Sequence, residues 1–155
     1  ACGIYKGTGY AAVVAEVDVS ETSGEVAVRG LWCAHDCGRV IDPDQVRAQC
    51  EGNLVWGLGM TLAERLPIGD SRVGAATFAD YPIPRLGDVP PMTVVLVDSD
   101  EPPGAAGETA IVAAGAAIVN AGRAACGVRA SRLPIRPDAL ASAMRSTAPG
   151  HHRGS

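Results

Sequence analysis

Glu108 is the residue best placed to do chemistry in this sequence. It closes Pro102-Pro103-Gly104-Ala105-Ala106-Gly107-Glu108-Thr109, a Pro/Gly loop that delivers one carboxylate to an Ala-rich helical run from Ile111 to Cys126. Gly104 and Gly107 have access to backbone angles closed to other residues, so the loop can approach a ligand closely. A carboxylate presented in this way is a candidate general base. The commoner use of such a residue is to complement the positive end of a helix. Gln49 is a second candidate, set beside an apolar helical stripe, where a half-buried amide offers two donors and an acceptor. Cys33, His35 and Cys37 alternate along a strand-like run and therefore share a face. No second close-spaced ligand pair follows to complete a zinc pattern. The expectation there is buried free thiols, with Cys50, beside a hydrogen-bonded His35.

The elements that must hold these residues are legible from periodicity and end signals. Tyr10 to Ser20 alternates apolar and polar residues in its second half, which marks a half-buried strand. Ser20 to Gly24 is turn material and Glu25 to Ala34 resumes as a strand, giving an antiparallel hairpin. Asp42 and Pro43 open a helix as N-cap and first residue, with Gln45 completing a capping-box-like pattern. That helix runs to about Glu64, with Val46, Cys50, Leu54, Leu58 and Leu62 as its apolar stripe. Gly52, Gly57 and Gly59 lie inside it, each costing roughly 1 kcal/mol against Ala, which points to close backbone packing.

Pro67 to Gly74 reads as a loop and Phe78 to Arg85 as an extended, Pro-punctuated segment. Met92 to Val97 is a third strand. A helix from Thr109 to Ala125 ends at Gly127, which suits a C′ position. Val128 to Arg136 reads as extended and Pro137 to Arg145 as a short helix. The order β-β-α-β-loop-α-β-α predicts an α+β fold, with a mainly antiparallel sheet and two main helices packed on it. Residues 1–145 are expected to form one unit, the C-terminal portion of a larger domain, and 146–155 a mobile tail that carries His151 and His152.

Composition bounds the function classes. The chain has 155 residues, 47% hydrophobic and 4% aromatic, with 19 Gly and 11 Pro. Its core must therefore be built from Ala, Val, Leu and Ile. The net charge of −4 without a basic stripe argues against nucleic acid as a partner. No charge-free apolar run reaches about 18 residues, so no membrane span is expected. Five cysteines, an odd number, do not suggest a disulfide framework. The Gly-x-Gly of Lys6-Gly7-Thr8-Gly9 is no phosphate loop, because no helix opens behind it. The chain opens Ala1-Cys2-Gly3 without Met or a signal-peptide pattern, as a processed product, a separate piece or a trimmed subunit would.

Several of these stretches, in order, resemble one family. Cys33-Ala34-His35-Asp36-Cys37-Gly38-Arg39-Val40-Ile41-Asp42-Pro43 followed by Gln49-Cys50-Glu51-Gly52-Asn53 is similar to the C-terminal part of the molybdenum-binding large subunit of the xanthine oxidase family, in particular its bacterial isoquinoline oxidoreductase-like branch. Phe78-Ala79-Asp80-Tyr81 resembles that family's Asn-Phe-x-x-Tyr region, and Pro102 to Glu108 its Pro-Pro-Gly-Gly-Val-Gly-Glu loop. Ala116 to Ala121 resembles the helix that follows, and Arg132-Leu133-Pro134-Ile135 the closing strand. The similarity covers about Gly7 to Asp138. Departures are Thr109 where proline commonly follows the glutamate, Ala105-Ala106 for Gly-Val, and Cys50 where an aliphatic residue is usual.

The resemblance implies a molybdenum–pyranopterin cofactor, in bacteria usually the cytosine dinucleotide form, whose metal takes no protein ligand. A hydroxyl on the metal attacks an electron-poor carbon, a glutamate takes its proton, and hydride passes to the metal's sulfido ligand. Glu108 matches that glutamate, Gln49 a glutamine that hydrogen-bonds the cofactor, and Gly107 the backbone nearest the metal's ligands. The family's large subunits are several times longer, so the resemblance also implies a companion chain with the remaining cofactor loops and a partner subunit carrying 2Fe-2S clusters. It implies hydroxylation of a small N-heteroaromatic compound. Aldehyde oxidation by the same chemistry and a non-catalytic assembly domain of the same fold are the alternatives. Compartment is left open between cytoplasm and periplasm.

Overall fold

Alternation of side chains builds one buried and one open sheet face. The computed structural model describes residues 1–6, 9–97 and 99–147. Gly7, Thr8 and the segment from 148 with His151 and His152 lie outside them. Cys2–Lys6 (β1), Gly9–Val19 (β2) and Val26–Asp36 (β3) form an antiparallel meander. Ala11 and Val13 of β2 and Leu31, Cys33 and His35 of β3 are buried, while Tyr10, Val14 and Trp32 between them are exposed. This is the period of 2 expected of a sheet covered on one side. The hairpin matches the expectation from its pattern. β1 was not expected: it is short, contains Gly3, and owes its form to the full length of pairing with β2, from Cys2↔Val13 to Lys6↔Gly9.

Pro43–Leu62 (α1) follows, and Asp42 caps it as predicted, its Oδ1 accepting the Gln45 N–H at 3.1 Å. Cys50, Leu54 and Leu58 of the stripe are buried, with Val46 and Leu62 partly so. Gly57 faces the second main helix so closely that a Cβ on it would lie 2.7 Å from the Ala114 Cβ. At Gly59 an added Cβ would lie 2.8 Å from Pro84, but at Gly52 it would meet nothing within 4 Å. Two of the three helix glycines thus serve close packing.

The chain then makes a small hairpin, Ile68–Gly69 (β4) with Arg72–Val73 (β5), inside the segment expected to be wholly loop. Phe78 to Tyr81 is a turn rather than extended chain. The Asp80 carboxylate accepts the Ala76 and Thr77 N–H groups, both at 3.1 Å, a local alternative to extended backbone. These bonds hold the Asp80 pKa below its ordinary value.

Met92–Leu96 (β6) is the predicted third strand, but it joins β3 in parallel, giving the order β1-β2-β3-β6. The sheet is mixed and mostly antiparallel. The parallel pair follows from α1, which carries the chain back across the sheet before β6 begins.

Thr109–Cys126 (α2) lies across β2 and against α1, with Ala113, Ala114, Ala117 and Ile118 wholly shielded. Its C-cap Gly127 takes the left-handed conformation at φ 74°, as the end signal predicts. Length and hydropathy alone would let α2 cross a membrane, but its buried face is the centre of the protein core. Each fully buried Leu31, Leu54 and Ile118 contributes on the order of 1.5–3 kcal/mol.

Residues 128–136 form no strand. Ile135 donates its N–H to the Thr61 carbonyl at 2.7 Å and is buried at the end of α1 instead of along a sheet edge. Pro137–Thr147 (α3) closes the described chain, taking in Ser146 and Thr147.

Candidate functional site

The Pro/Gly loop is fastened to the end of β3. The Arg39 N–H donates to the Glu101 carbonyl at 2.8 Å and the Gly104 N–H to the Cys37 carbonyl at 2.7 Å. Gly38 turns this corner at φ 72°, and a side chain there would collide with the Pro102 carbonyl. On the β2 side, a Cβ at Gly9 would lie 2.6 Å from the Ala105 carbonyl oxygen. The loop therefore sits on bare backbone at two points, which explains a glycine at each.

The same loop is tied to α1. Gln49 Nε2 donates to the Gly107 carbonyl at 3.2 Å, across 58 residues of chain. Asn53 Nδ2 donates to that carbonyl at 2.9 Å and to the Gln49 carbonyl at 2.6 Å. Gly107 itself has no positive φ, and a Cβ on it would meet only Gln49 Nε2, at 3.7 Å. Nothing among the described residues requires a glycine there.

Glu108 is the N-cap residue of α2, but its carboxylate makes no cap hydrogen bond to the helix. The capping explanation open at the sequence level is thus not how its side chain is used, although the helix start still favours negative charge. Gln49, Gly107 and Glu108 are all exposed. The half-burial expected of Gln49 is not found, because its side chain leaves the stripe toward the loop and is covered by neither helix. The three sequence-nominated residues are brought to one surface, whose supports are buried.

Below it lies the cysteine cluster. The Cys50 thiol donates to Cys33 between α1 and β3; this bond, with burial second, pushes the Cys50 pKa up, and it draws that of Cys33 down. Burial, with Asp36 secondary, pushes Cys37 up. His35 is 1% exposed, and among the described residues neither ring nitrogen has a hydrogen-bond partner. The hydrogen bond expected of His35 is not found at either nitrogen, although the Ala105 backbone, after Asp36, favours the protonated ring. Burial dominates and holds the imidazole pKa below its ordinary value. Among the described residues no three His, Cys, Asp or Glu side chains are grouped to hold a metal ion.

Elsewhere, a groove of about 560 Å³ runs along α1 and α2 past Gly57, Met60, Ile111, Gly115 and Arg132, and it does not reach Gln49, Gly107 or Glu108. Sequence reasoning missed Asn53 as a site residue. Its signal was available: an Asn in mid-helix, one turn after Gln49, on the buried side of the stripe.

A mixed sheet with two covering helices, and a glycine–glutamate loop fastened between strand and helix, define a small module that exposes its functional edge. Residues 3–90 match the molybdopterin cofactor-binding domain, and the chain belongs to this family, as a portion of the molybdenum subunits of xanthine oxidase-type enzymes. It is 36% identical over 137 residues to the isoquinoline 1-oxidoreductase subunit beta of Brevundimonas diminuta, covering 88% of this chain and 17% of that one. It is 32% identical to the aldehyde oxidoreductase molybdenum-binding subunit of Escherichia coli K12, covering 88% of this chain and 20% of that one. Its fold is similar to that of the aldehyde oxidoreductase of Desulfovibrio gigas, with TM-score 0.78 and 28% identity over 88% of this chain and 15% of the other. The chain thus spans 15 to 20% of the length of these proteins.

Proposed function

We propose that this chain supplies one wall of the molybdenum centre of a hydroxylase, with Glu108 as general base and Gln49 and Gly107 as the groups that face the cofactor. The observation that carries the reading is the convergence of Gln49 on the Gly107 carbonyl, beside Glu108, at an exposed surface. The residues fit the cofactor. Gln49 offers an amide at the surface, the missing side chain of Gly107 leaves room outside this chain, and Glu108 brings a carboxylate that does not cap its helix. When bound, the molybdenum–pyranopterin group supplies the two-electron oxidation. Glu108 holds and moves the proton released as water-derived oxygen is added to an electron-poor carbon. Gln49 binds and orients, and Gly107 permits close approach.

The substrate is a small N-heteroaromatic compound, a reading supported by the likeness to the isoquinoline-oxidising subunit. Aldehyde oxidation is the second reading, favoured by the likeness to the two aldehyde oxidoreductases. The cofactor is the cytosine dinucleotide form, and electrons leave through a subunit with 2Fe-2S clusters. The remaining cofactor loops come from a companion portion of the subunit. The open sheet face with Tyr10, Val14, Trp32 and Val95, 42 to 57% exposed, is apolar enough to be its seat.

In the assembled enzyme, Glu108→Gln keeps molybdenum and pterin but lowers kcat by about 10²–10⁴-fold, the range for loss of a general base. Turnover near that of the unaltered enzyme refutes the assignment. Purification of the chain together with its companion, stable and without molybdenum or pterin, sinks the enzyme reading in favour of a non-catalytic assembly domain.

A further inference from the structure

Asn53 lies one helical turn beyond Gln49 and is only 6% exposed. Asn is a poorer helix former than Ala or Leu, and a buried amide must find partners. Its Nδ2 uses both hydrogens, one to the Gln49 carbonyl at 2.6 Å and one to the Gly107 carbonyl at 2.9 Å. The Gly107 oxygen has two lone pairs and so takes Asn53 and Gln49 together. The two bonds differ in kind. The Asn53 bond is the shorter and part-buried, while the Gln49 bond is 3.2 Å and exposed.

Holding the Gly107 oxygen has a mechanical consequence. The peptide unit is planar, so a fixed Gly107 oxygen fixes the Glu108 nitrogen and the point from which its side chain departs. A rotation that aims the Gln49 amide at a cofactor gives up its 3.2 Å bond to Gly107. The loop then depends on Asn53.

We propose that Asn53 is a positioning residue: it anchors the Gly107–Glu108 peptide while the Gln49 amide exchanges between Gly107 and the cofactor. The inference rests on the reading of Glu108 as base and Gln49 as cofactor contact. It adds a division of labour between two amides on one carbonyl.

The test uses the assembled enzyme with Asn53→Ala, Asn53→Asp and Gln49→Ala, reading backbone hydrogen exchange of residues 105–109 alongside kinetics. Asn53→Asp keeps the shape and removes both donors, so it serves if Asn53→Ala does not assemble. The expected result is exchange at 105–109 faster by about tenfold in the Asn53 variants, as for loss of one hydrogen bond, and less than about twofold in Gln49→Ala, whose bond is already open to water. At unchanged molybdenum and pterin content, kcat falls by about 10–100-fold, the scale of a 1 Å misplacement, with KM nearly unchanged. In a Glu108→Gln background, Asn53→Ala adds little further loss. The proposal is overturned if Gln49→Ala loosens the loop as much as Asn53→Ala, if the Asn53 variants leave exchange and kcat unchanged, or if neither assembles while Gln49→Ala does. Full turnover by Glu108→Gln would remove the base reading instead, and the exchange comparison would still decide the anchoring.

Discussion

Replacing Gly107 with Ala separates what the fold needs from what a cofactor needs. A Cβ at Gly107 would lie 3.7 Å from Gln49 Nε2, an ordinary contact, and the position has no positive φ. The chain itself should then be unharmed. Restricting the unfolded backbone at a compatible site stabilises by about 0.4–1 kcal/mol, so the stability change is predicted to lie between zero and that gain. Gly38→Ala is the contrast, since φ there is 72° and the added carbon runs into the Pro102 carbonyl. The left-handed conformation alone costs about 1–2 kcal/mol, and the collision adds to it. On the proposed reading the outcome for Gly107→Ala reverses in the assembled enzyme, because the methyl would project where the cofactor approaches. Overpacking of about 1–3 kcal/mol corresponds to roughly 5–150-fold weaker binding. The assay is denaturant unfolding of the chain beside molybdenum and pterin content of the assembled protein. Full cofactor content with unchanged turnover would show that Gly107 does not face the cofactor. A loss of more than about 1 kcal/mol in the chain alone would show that the glycine serves the fold.

Two other perturbations test the frame that carries the site. Gly52→Ala should stabilise α1 by up to about 1 kcal/mol, since an added Cβ meets nothing within 4 Å, whereas Gly57→Ala, with the Ala114 Cβ at 2.7 Å, should lose about 1–3 kcal/mol to overpacking before that gain is counted; equal shifts in urea midpoint would refute the packing account. Because burial depresses the His35 pKa, the folded state binds fewer protons there than the unfolded chain, so its stability contribution is present above about pH 6.5 and is lost as pH falls through the depressed folded value. His35→Gln should flatten the stability–pH curve in that window, and an unchanged slope measured by urea titration would rule His35 out as its source.

What could be read from the sequence was whatever is decided locally. Alternation marked β2 as a half-buried strand and put Cys33, His35 and Cys37 on one face, Asp42-Pro43 began α1, and Gly127 ended α2, because each signal acts within a few residues. The misreadings share the opposite property. β1 becomes a strand only by pairing with β2, and β6 is parallel only because of where α1 returns the chain. Residues 128–136 are extended in composition but meet the end of α1, not a sheet edge. At Phe78 to Tyr81, proline spacing suggested extension, yet a single carboxylate, Asp80, organised a turn. For the site, residue chemistry alone left Glu108 between cap and base, and only the ordered resemblance brought Gln49 and Gly107 beside it.

The placement of burial around the site follows from that topology. α1 crosses between the parallel strands β3 and β6, and Arg47 donates to the Val94 carbonyl of β6, so the helix that bears Gln49 and Asn53 is tied to the strand leading into the Pro/Gly loop. Cys33, Cys50 and His35 fill the space beneath with groups whose charged forms burial disfavours, and the loop above rests on Gly9 and Gly38. Every support is buried or fixed to backbone, while Gln49, Gly107 and Glu108 stand open. A general base needs a fixed origin more than a buried one when its pocket is completed from outside. On the proposed reading the open edge is half of a site that the remaining cofactor loops complete, with Glu108 owing its position to this chain and its environment to the other part.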